Sequence, residues 1–243
     1  MKQFLLPWYL LVIGIPAFSQ QNLFNIPSGD ITPGGKIFYQ HQFNVYTDKL
    51  ESKAHFVYGL GNGWDAGVNL VGKGFYFTPQ WRALHNSDPN KGALYPVLMG
   101  SLQKEIIINQ HWQINMGIQA GVNLSRNIEN KELNQFTYGL VSWKPGQHHR
   151  VKLVAGPYYT NSMFVGNGNR AGILAGYEVK ISRTWYLMGD FISGNNDSAV
   201  SVFGFMKTVS KRVQICAGYM IPNPETPKPH GIVLELNLIG WDF

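Results

Sequence analysis

The chain has 243 residues, of which only 14% are charged, with 27 glycines and a formal net charge of +6. A hydrophobic content of 44% excludes an intrinsically disordered chain, and the single cysteine, Cys216, excludes an intramolecular disulfide framework and a cysteine-rich zinc site. The sequence contains no continuous basic stripe, phosphate-binding loop, dinucleotide fingerprint or metal-ligand spacing. We therefore expect no nucleic acid, no metal and no other cofactor.

The N-terminus is typical of a secretory signal peptide. Lys2 precedes a long apolar run that ends with small residues, Ala17 and Ser19, at the two positions that a signal peptidase inspects. Two prolines interrupt the run and no positive cluster follows it, which favours cleavage over a retained membrane anchor. We predict that residues 1–19 are removed and that the mature chain starts at Gln20, outside the cytoplasm.

The next segment, residues 20–35, shows no periodicity and contains several prolines and glycines. We expect it to be irregular and to lie on the periplasmic side of the membrane. After the signal peptide there is no apolar stretch of about 18 residues that would form a transmembrane helix. A membrane protein of this sequence must therefore be a closed β-barrel, which we assign to residues 36–243.

A period of two dominates the mature chain. In residues 112–124 every even position is apolar, and every odd position is an amide or glycine. Strict alternation predicts a strand with one apolar face, and thirteen residues suit a tilted strand that crosses a bilayer. The alternation recurs, less cleanly, in residues 37–45, 64–76, 151–159, 171–181, 213–221 and 232–238. Weaker candidates are residues 52–61, 94–105, 134–144, 185–193 and 198–208.

These segments predict an all-β fold with about twelve antiparallel strands. The links between them alternate between short turns and longer loops, except for a short first hairpin at residues 47–51. Short periplasmic turns and long outer loops are the plan of outer-membrane barrels. A secreted β-sandwich is the alternative, since it also explains the alternation and the turn residues, but not the strand length.

Tryptophans gather at one end of the predicted barrel, next to the short turns or the C-terminus. Amphipathic rings prefer the membrane–water boundary, so we expect these residues to form an aromatic girdle. These are five of the seven tryptophans in the sequence: Trp64, Trp112, Trp143, Trp185 and Trp241.

The chain ends in Ile239-Gly240-Trp241-Asp242-Phe243. This end resembles the terminal-strand signature of bacterial outer-membrane β-barrel proteins, in which a terminal aromatic residue follows alternating apolar residues. The resemblance implies that Phe243 serves as a signal for the barrel-assembly machinery. The apolar residues stand at even positions up to Leu238 and at odd positions from Ile239 onward, so a bulge or strand end is expected there. The hairpin at residues 58–68 is similar to hairpins in bacterial solute-transport barrels.

The polar faces of the strands are predicted to line the lumen. Amides dominate and charges of both signs nearly cancel, which suits small neutral or zwitterionic solutes. The residues are Gln40, Gln42, Asn44, Asp65, Asn69, Gln113, Asn115, Gln119, Asn123, Lys152, Glu178, Lys180, Asp190, Gln214, Glu235 and Asn237.

The sequence therefore favours a barrel in the bacterial outer membrane that allows passive passage of small polar solutes through a narrow lumen. Expected partners are the lipid bilayer, outer-membrane glycolipid and the assembly machinery. One alternative is a non-conducting structural or adhesion barrel that acts through its outer loops. A lesser alternative is a lipid hydrolase, but the one His-x-Ser arrangement in the sequence, His85-Asn86-Ser87, falls in a predicted loop, so we expect no enzymatic activity.

Overall fold

The computed structural model describes residues 21–77, 81–124, 133–226 and 228–242. The predicted signal peptide and the terminal residue Phe243 lie outside the described residues. The strands are β1 (Lys36–Tyr46), β2 (Lys49–Gly61), β3 (Trp64–Tyr76), β4 (Arg82–Ala83), β5 (Val97–Ile107), β6 (Trp112–Asn123), β7 (Asn134–Trp143), β8 (Val151–Thr160), β9 (Ala171–Lys180), β10 (Trp185–Ile192), β11 (Val200–Ser210), β12 (Val213–Pro222) and β13 (Gly231–Asp242).

Helical structure among the described residues is limited to a 3-10 turn, Pro89–Lys91, and one short helix, α1 (Ser162–Val165). Neither these nor any other described segment forms a helix of the length and hydrophobicity needed to cross a membrane.

Twelve long strands form one closed antiparallel ring. Each pairs with its neighbours in the chain, and the two-residue strand β4 extends the edge of β3 outside the ring. The ring closes where β1 pairs with β13, from Lys36 opposite Asp242 to Tyr46 opposite Gly231. The predicted twelve-stranded barrel is confirmed, and a sandwich of two stacked sheets is excluded because a single ring contains every long strand.

Burial alternates along the strands as the sequence pattern predicts. In β13, Ile232, Leu234 and Leu236 are exposed, whereas Glu235 and Asn237 are buried. The exposed positions form an apolar outer wall, and the buried positions face the inside of the ring. An outer wall of this kind suits lipid contact, and the closed ring leaves no unpaired strand edge in it.

The first hairpin is tighter than expected. Only Thr47 and Asp48 separate β1 from β2, so β2 begins at Lys49, where the sequence suggests a loop up to residue 51. The residues at the start of β2 alternate between the two faces of the wall, but most of them are polar, which hides the strand in the sequence.

The parity change near the C-terminus is a β-bulge at Gly240. The register moves from Phe38 opposite Ile239 to Ile37 opposite Trp241, and Gly240 has a φ of +66°. Residues with a side chain rarely adopt this backbone conformation, so glycine is suited to the position. The bulge returns Trp241 to the outer wall.

Candidate functional site within the barrel

The lumen is occupied by the chain's own N-terminal segment. Residues 21–32, here named the plug, lie inside the ring, whereas the sequence suggested an irregular segment on the periplasmic side. Gly35 N donates to Gly59 O at 2.8 Å, which places the connection to β1 at the short-turn end. Within the plug, Leu23 N donates to Ile26 O and Ser28 N to Gln21 O, both at 2.9 Å, so the chain turns back on itself.

Two inward carboxylates of the barrel hold the plug. Asp65 on β3 accepts hydrogen bonds from the Gln21 side chain and, at 3.0 Å, from Thr32 N. Asp190 on β10 accepts from the backbone nitrogens of Asn25 and, at 3.2 Å, Ile26. Buried carboxylates require such donors, and backbone N–H groups left inside a barrel require acceptors.

At a third anchor the carboxylate belongs to the plug and its partners belong to the barrel. Asp30 of the plug forms ion pairs with Lys152 on β8 and, at 2.9 Å, with Lys144 just after β7. Gln113 on β6 also donates to Asp30 Oδ1 at 3.1 Å. Asp30 and Lys152 are both buried, so each offsets the charge of the other inside the lumen.

The tip of the plug is apolar and fits against glycines. Leu23, Phe24 and Ile26 are each only 1% exposed. A Cβ atom added at Gly176 would overlap the Leu23 side chain, and one at Gly218 would lie 2.8 Å from Cζ of Phe24. The inward glycines of β9 and β12 thus leave the space that the tip fills.

The lumen wall around the tip is itself apolar, which the sequence reading missed. Buried side chains on the β7–β13 side form one hydrophobic cluster with Leu23, Phe24 and Ile26. In β10, for example, inward Met188 lies beside outward Leu187, so both faces are apolar and no alternation is visible. The wall residues include Leu140, Val154, Leu174, Met188, Val202 and Cys216.

Most residues assigned to the lumen from sequence are buried. Gln119 and Glu178 are half-buried, and Lys180 is exposed at the end of β9, where its Nζ atom lies 5.5 Å from the centre of the Tyr186 ring. The buried residues are Gln40, Gln42, Asn44, Asp65, Asn69, Gln113, Asn115, Asn123, Lys152, Asp190, Gln214, Glu235 and Asn237.

A cavity of about 120 Å³ lies beyond the plug, towards the long loops. We name this cavity the chamber. Its lining includes Phe24 of the plug, Glu51 and Lys53 on β2, and Tyr95 and Lys228 in the loops. The chamber therefore combines carboxylate, ammonium, phenol and aromatic groups in a small space.

Loops cover the outer side of the chamber. Leu94 N donates to Met163 O of α1 at 3.1 Å, and Asp197 N donates to Val165 O at 3.0 Å. Asp197 in turn accepts from Ala93 N at 2.6 Å. The loops that precede β5, β9 and β11 are thus tied together above the chamber.

Lys228, in the loop between β12 and β13, is half-buried in this cover. Burial alone would lower the pKa of its ammonium group, but the nearby Tyr95, Glu51 and Asp197 outweigh that effect and raise the pKa. The cation therefore stabilises three groups from β2 and two separate loops. This arrangement holds the loops together above the chamber.

The five girdle tryptophans are all exposed on the outer wall at the short-turn end. Trp112 and Trp143 are stacked with ring centres 5.7 Å apart. Lys104 lies 5.1 Å from the Trp64 ring centre and Lys207 4.9 Å from that of Trp185, while Arg212 lies over Trp241 at 5.2 Å. Cations that reach towards headgroups beside aromatic rings are typical of a membrane boundary.

The described residues contain no group of three or more histidine, cysteine, aspartate or glutamate side chains that could hold a metal ion. His111 and His149 approach each other with ring centres 5.7 Å apart in the short turns, and Nδ1 of His111 hydrogen-bonds to Lys144 O at 2.9 Å.

No protein-family model and no curated protein matches the chain. Among solved structures, a rhombohedral crystal form of NanC porin matches with a TM-score of 0.54 and 10% sequence identity. The match covers 84% of this chain and 99% of the NanC porin chain. At this identity the likeness shows the fold alone, which together with the closed ring is that of a porin-like β-barrel. The predicted family resemblance is thereby confirmed at the level of architecture.

Proposed function

We propose that this protein is a solute passage of the bacterial outer membrane that is closed by its own plug. The observation that carries the proposal is that the segment filling the lumen belongs to no strand of the ring. The ring is complete without residues 21–32, and twelve strands lie between the eight of a filled barrel and the sixteen of a wide channel. Removal of the plug would therefore leave a narrow bore.

The proposed solutes are small and polar. The bore on the β1–β6 side carries amides, and the chamber adds charges of both signs, such as Glu51, Lys53 and Lys228. Hydroxyl and zwitterionic groups exchange hydrogen bonds with such a surface, whereas a strongly selective ion channel would carry rings of one sign. The apolar wall on the opposite side gives a solute carbon skeleton a surface to contact.

Planar-bilayer recording tests the proposal. The mature protein is expected to show almost no conductance steps, and a variant that lacks residues 21–32 is expected to show discrete steps. The native thiol gives a second readout, because Cys216 is fully buried in the cluster that contacts the plug tip. A small polar maleimide should label Cys216 slowly in the intact protein and much faster in the deletion variant.

An exposed thiol supplies the matched control. Ser210 lies exposed at the end of β11, so Ser210→Cys in a Cys216→Ser background sets the labelling rate of an open site. A folded deletion variant that neither conducts nor labels faster would contradict the proposal.

That result would favour the second candidate, a non-conducting barrel that acts through its outer loops. The specific observation in its favour is that the plug fills the lumen and that outer loops are joined above the chamber. Both proposals include contacts with outer-membrane glycolipid and insertion of the protein by the barrel-assembly machinery.

A further inference from the structure

A chain of hydrogen bonds on the outer wall lies apart from the lumen. His41 on β1 and Ser52 on β2 both face outward, and Ser52 Oγ lies 3.0 Å from His41 Nε2. The Tyr39 hydroxyl lies 2.8 Å from His41 Nδ1. With the proton on Nδ1, the imidazole donates to Tyr39 and accepts from Ser52, which is the arrangement of a nucleophile, its general base and an orienting group.

A cation completes this group. Lys73 on β3 is exposed and is the register partner of Ser52. The register shifts just beyond this pair, because Gly72, with a φ of +76°, is an extra residue in β3. Without this bulge, glycine would face Ser52 and the lysine would point inward, so the bulge places Lys73 opposite Ser52 on the outer wall.

The group lies close to the membrane boundary. Ser52 is four residues from the Thr47–Asp48 turn, which for a tilted strand is roughly 10 Å along the membrane normal. Phe75 lies two residues after Lys73 on β3. Its ring contacts that of the exposed Trp81, with ring centres 5.0 Å apart. Exposed aromatic clusters mark the interface between headgroups and acyl chains, where lipid esters lie.

The surrounding wall suits acyl chains. His41 packs against Phe43 with ring centres 4.5 Å apart and the rings tilted by 40°, and its register partner on β13 is Leu236, an exposed leucine. On β2, Ala54 and the exposed Phe56 continue the apolar surface below Ser52. A lipid whose ester lies at Ser52 would therefore extend its chain along apolar side chains.

We propose that Ser52, His41, Tyr39 and Lys73 form an acyl-ester hydrolase site on the lipid-facing wall, with membrane lipids that carry fatty-acyl esters as substrates. Ser52 Oγ bonds to the ester carbonyl carbon while its proton passes to His41 Nε2. Lys73 stabilises the negative oxygen that forms. The bond from that carbon to the alkoxy oxygen breaks, and the leaving alcohol takes the proton from Nε2.

Water completes the cycle. It bonds to the acyl carbon and gives a proton to His41 Nε2, after which the acyl–Oγ bond breaks and Oγ regains that proton. The products are a fatty acid and the deacylated lipid, so atoms and protons balance without a further reagent. Tyr39 touches only the imidazole and is a positioning residue. This activity is independent of whether the lumen conducts.

The test uses the full mature protein in mixed micelles with either a phospholipid or an acylated glucosamine lipid, and it measures fatty-acid release. Labelling by a fluorophosphonate probe, located by peptide mass spectrometry, identifies the nucleophile. The intact protein should release fatty acid from one of the two lipids, which identifies the lipid class, and should label at Ser52. Ser52→Ala should reduce both readouts to background, and His41→Gln should lower turnover about 100-fold or more.

Lys73 and Tyr39 have sharper readouts. Lys73→Met should lower turnover about 100-fold while Lys73→Arg retains most of it, because the oxyanion requires a cation. Tyr39→Phe should shift the pH profile of probe labelling, which a merely structural change would not move. Ser201→Ala is the matched control, since Ser201 lies between Phe191 and Ile221 on the same wall.

Heat-modifiable migration on gels shows that each variant is a folded barrel. Absence of probe labelling and of fatty-acid release in the folded intact protein would overturn the proposal. Release that persists in folded Ser52→Ala would overturn it equally.

Discussion

Nζ of Lys144, just after β7, lies 2.9 Å from Oδ1 of Asp30 in the plug, and Lys152 on β8 binds the other carboxylate oxygen. This ion pair joins the wall of the barrel to the segment inside it. Because one carboxylate pairs with two ammonium groups in a confined lumen, its loss is expected to weaken the closed state more than loss of any surface charge.

Asp30→Asn should therefore open the barrel. Removal of one partner from a buried ion pair destabilises the paired state by about 3 kcal/mol or more. This corresponds to a change of roughly 100-fold in the ratio of plugged to open barrels. Bilayer conductance and the rate of Cys216 labelling should both rise. The control is Asp88→Asn, because Asp88 pairs with Lys91 only at 3.6 Å on the exposed surface. Equal conductance of the two variants would argue against the role of Asp30.

Gly176→Ala should also weaken closure, because the new methyl group overlaps Leu23. Overpacking of this kind costs about 1–3 kcal/mol. The double variant Gly176→Ala with Leu23→Ala should restore slow Cys216 labelling, since the shortened side chain makes room. Gly139→Ala is the control, because a Cβ there meets nothing within 4 Å. Failure of Leu23→Ala to rescue would show that the two positions do not share one space.

Lys228→Met should loosen the cover of the outer mouth. Burial alone would lower the pKa of this ammonium group, but the nearby Tyr95, Glu51 and Asp197 outweigh that effect and raise it. Below the ordinary lysine pKa of about 10.4, a cation whose pKa is raised on folding contributes its full stabilisation to the folded loop. This stabilisation is lost as the pH rises through the higher pKa that the group has in the folded protein. Proteolysis in residues 223–230 should thus stay slow at pH 6–9 and accelerate only in strong alkali.

In Lys228→Met the same loop should be cleaved faster already at neutral pH. Lys211→Met changes an exposed lysine in a short turn and should leave the cleavage rate unchanged. A loop that resists protease equally in both variants would argue that Lys228 does not hold the cover.

The tryptophan girdle predicts a specific pattern of fluorescence quenching. Trp81→Phe in the mature chain leaves only the five tryptophans of the short-turn end. Lipids brominated near the glycerol backbone should quench these residues more strongly than lipids brominated at the chain ends. Stronger quenching by bromine at the chain ends would place the rings in the middle of the bilayer and contradict the girdle.

Alternation along single strands was sufficient to predict the ring of strands. It assigned Asp65, Lys152 and Asp190 to the inside, but it did not show what they bind. Their partners lie in residues 21–32, which have no periodicity, and Asp190 accepts from backbone N–H groups, which every residue except proline carries. A sequence pattern therefore contains no record of that contact.

The outer-wall group was missed for a different reason. A search for histidine and serine on one strand does not detect His41 and Ser52, because they lie on neighbouring strands. The two-residue hairpin at Thr47–Asp48 pairs His41 with Ala54 and Phe43 with Ser52, which makes histidine and serine diagonal neighbours. Knowledge of the turn would have been enough to find them.

Only residues 33–35 connect the plug to β1, and three residues span at most roughly 10 Å. A plug that leaves the lumen is therefore retained at the rim of the barrel and re-enters as an intramolecular ligand, at an effective concentration on the order of millimolar. A free peptide of the same sequence would compete with it only at comparable concentration. Reclosure is thus independent of protein concentration and requires no second molecule.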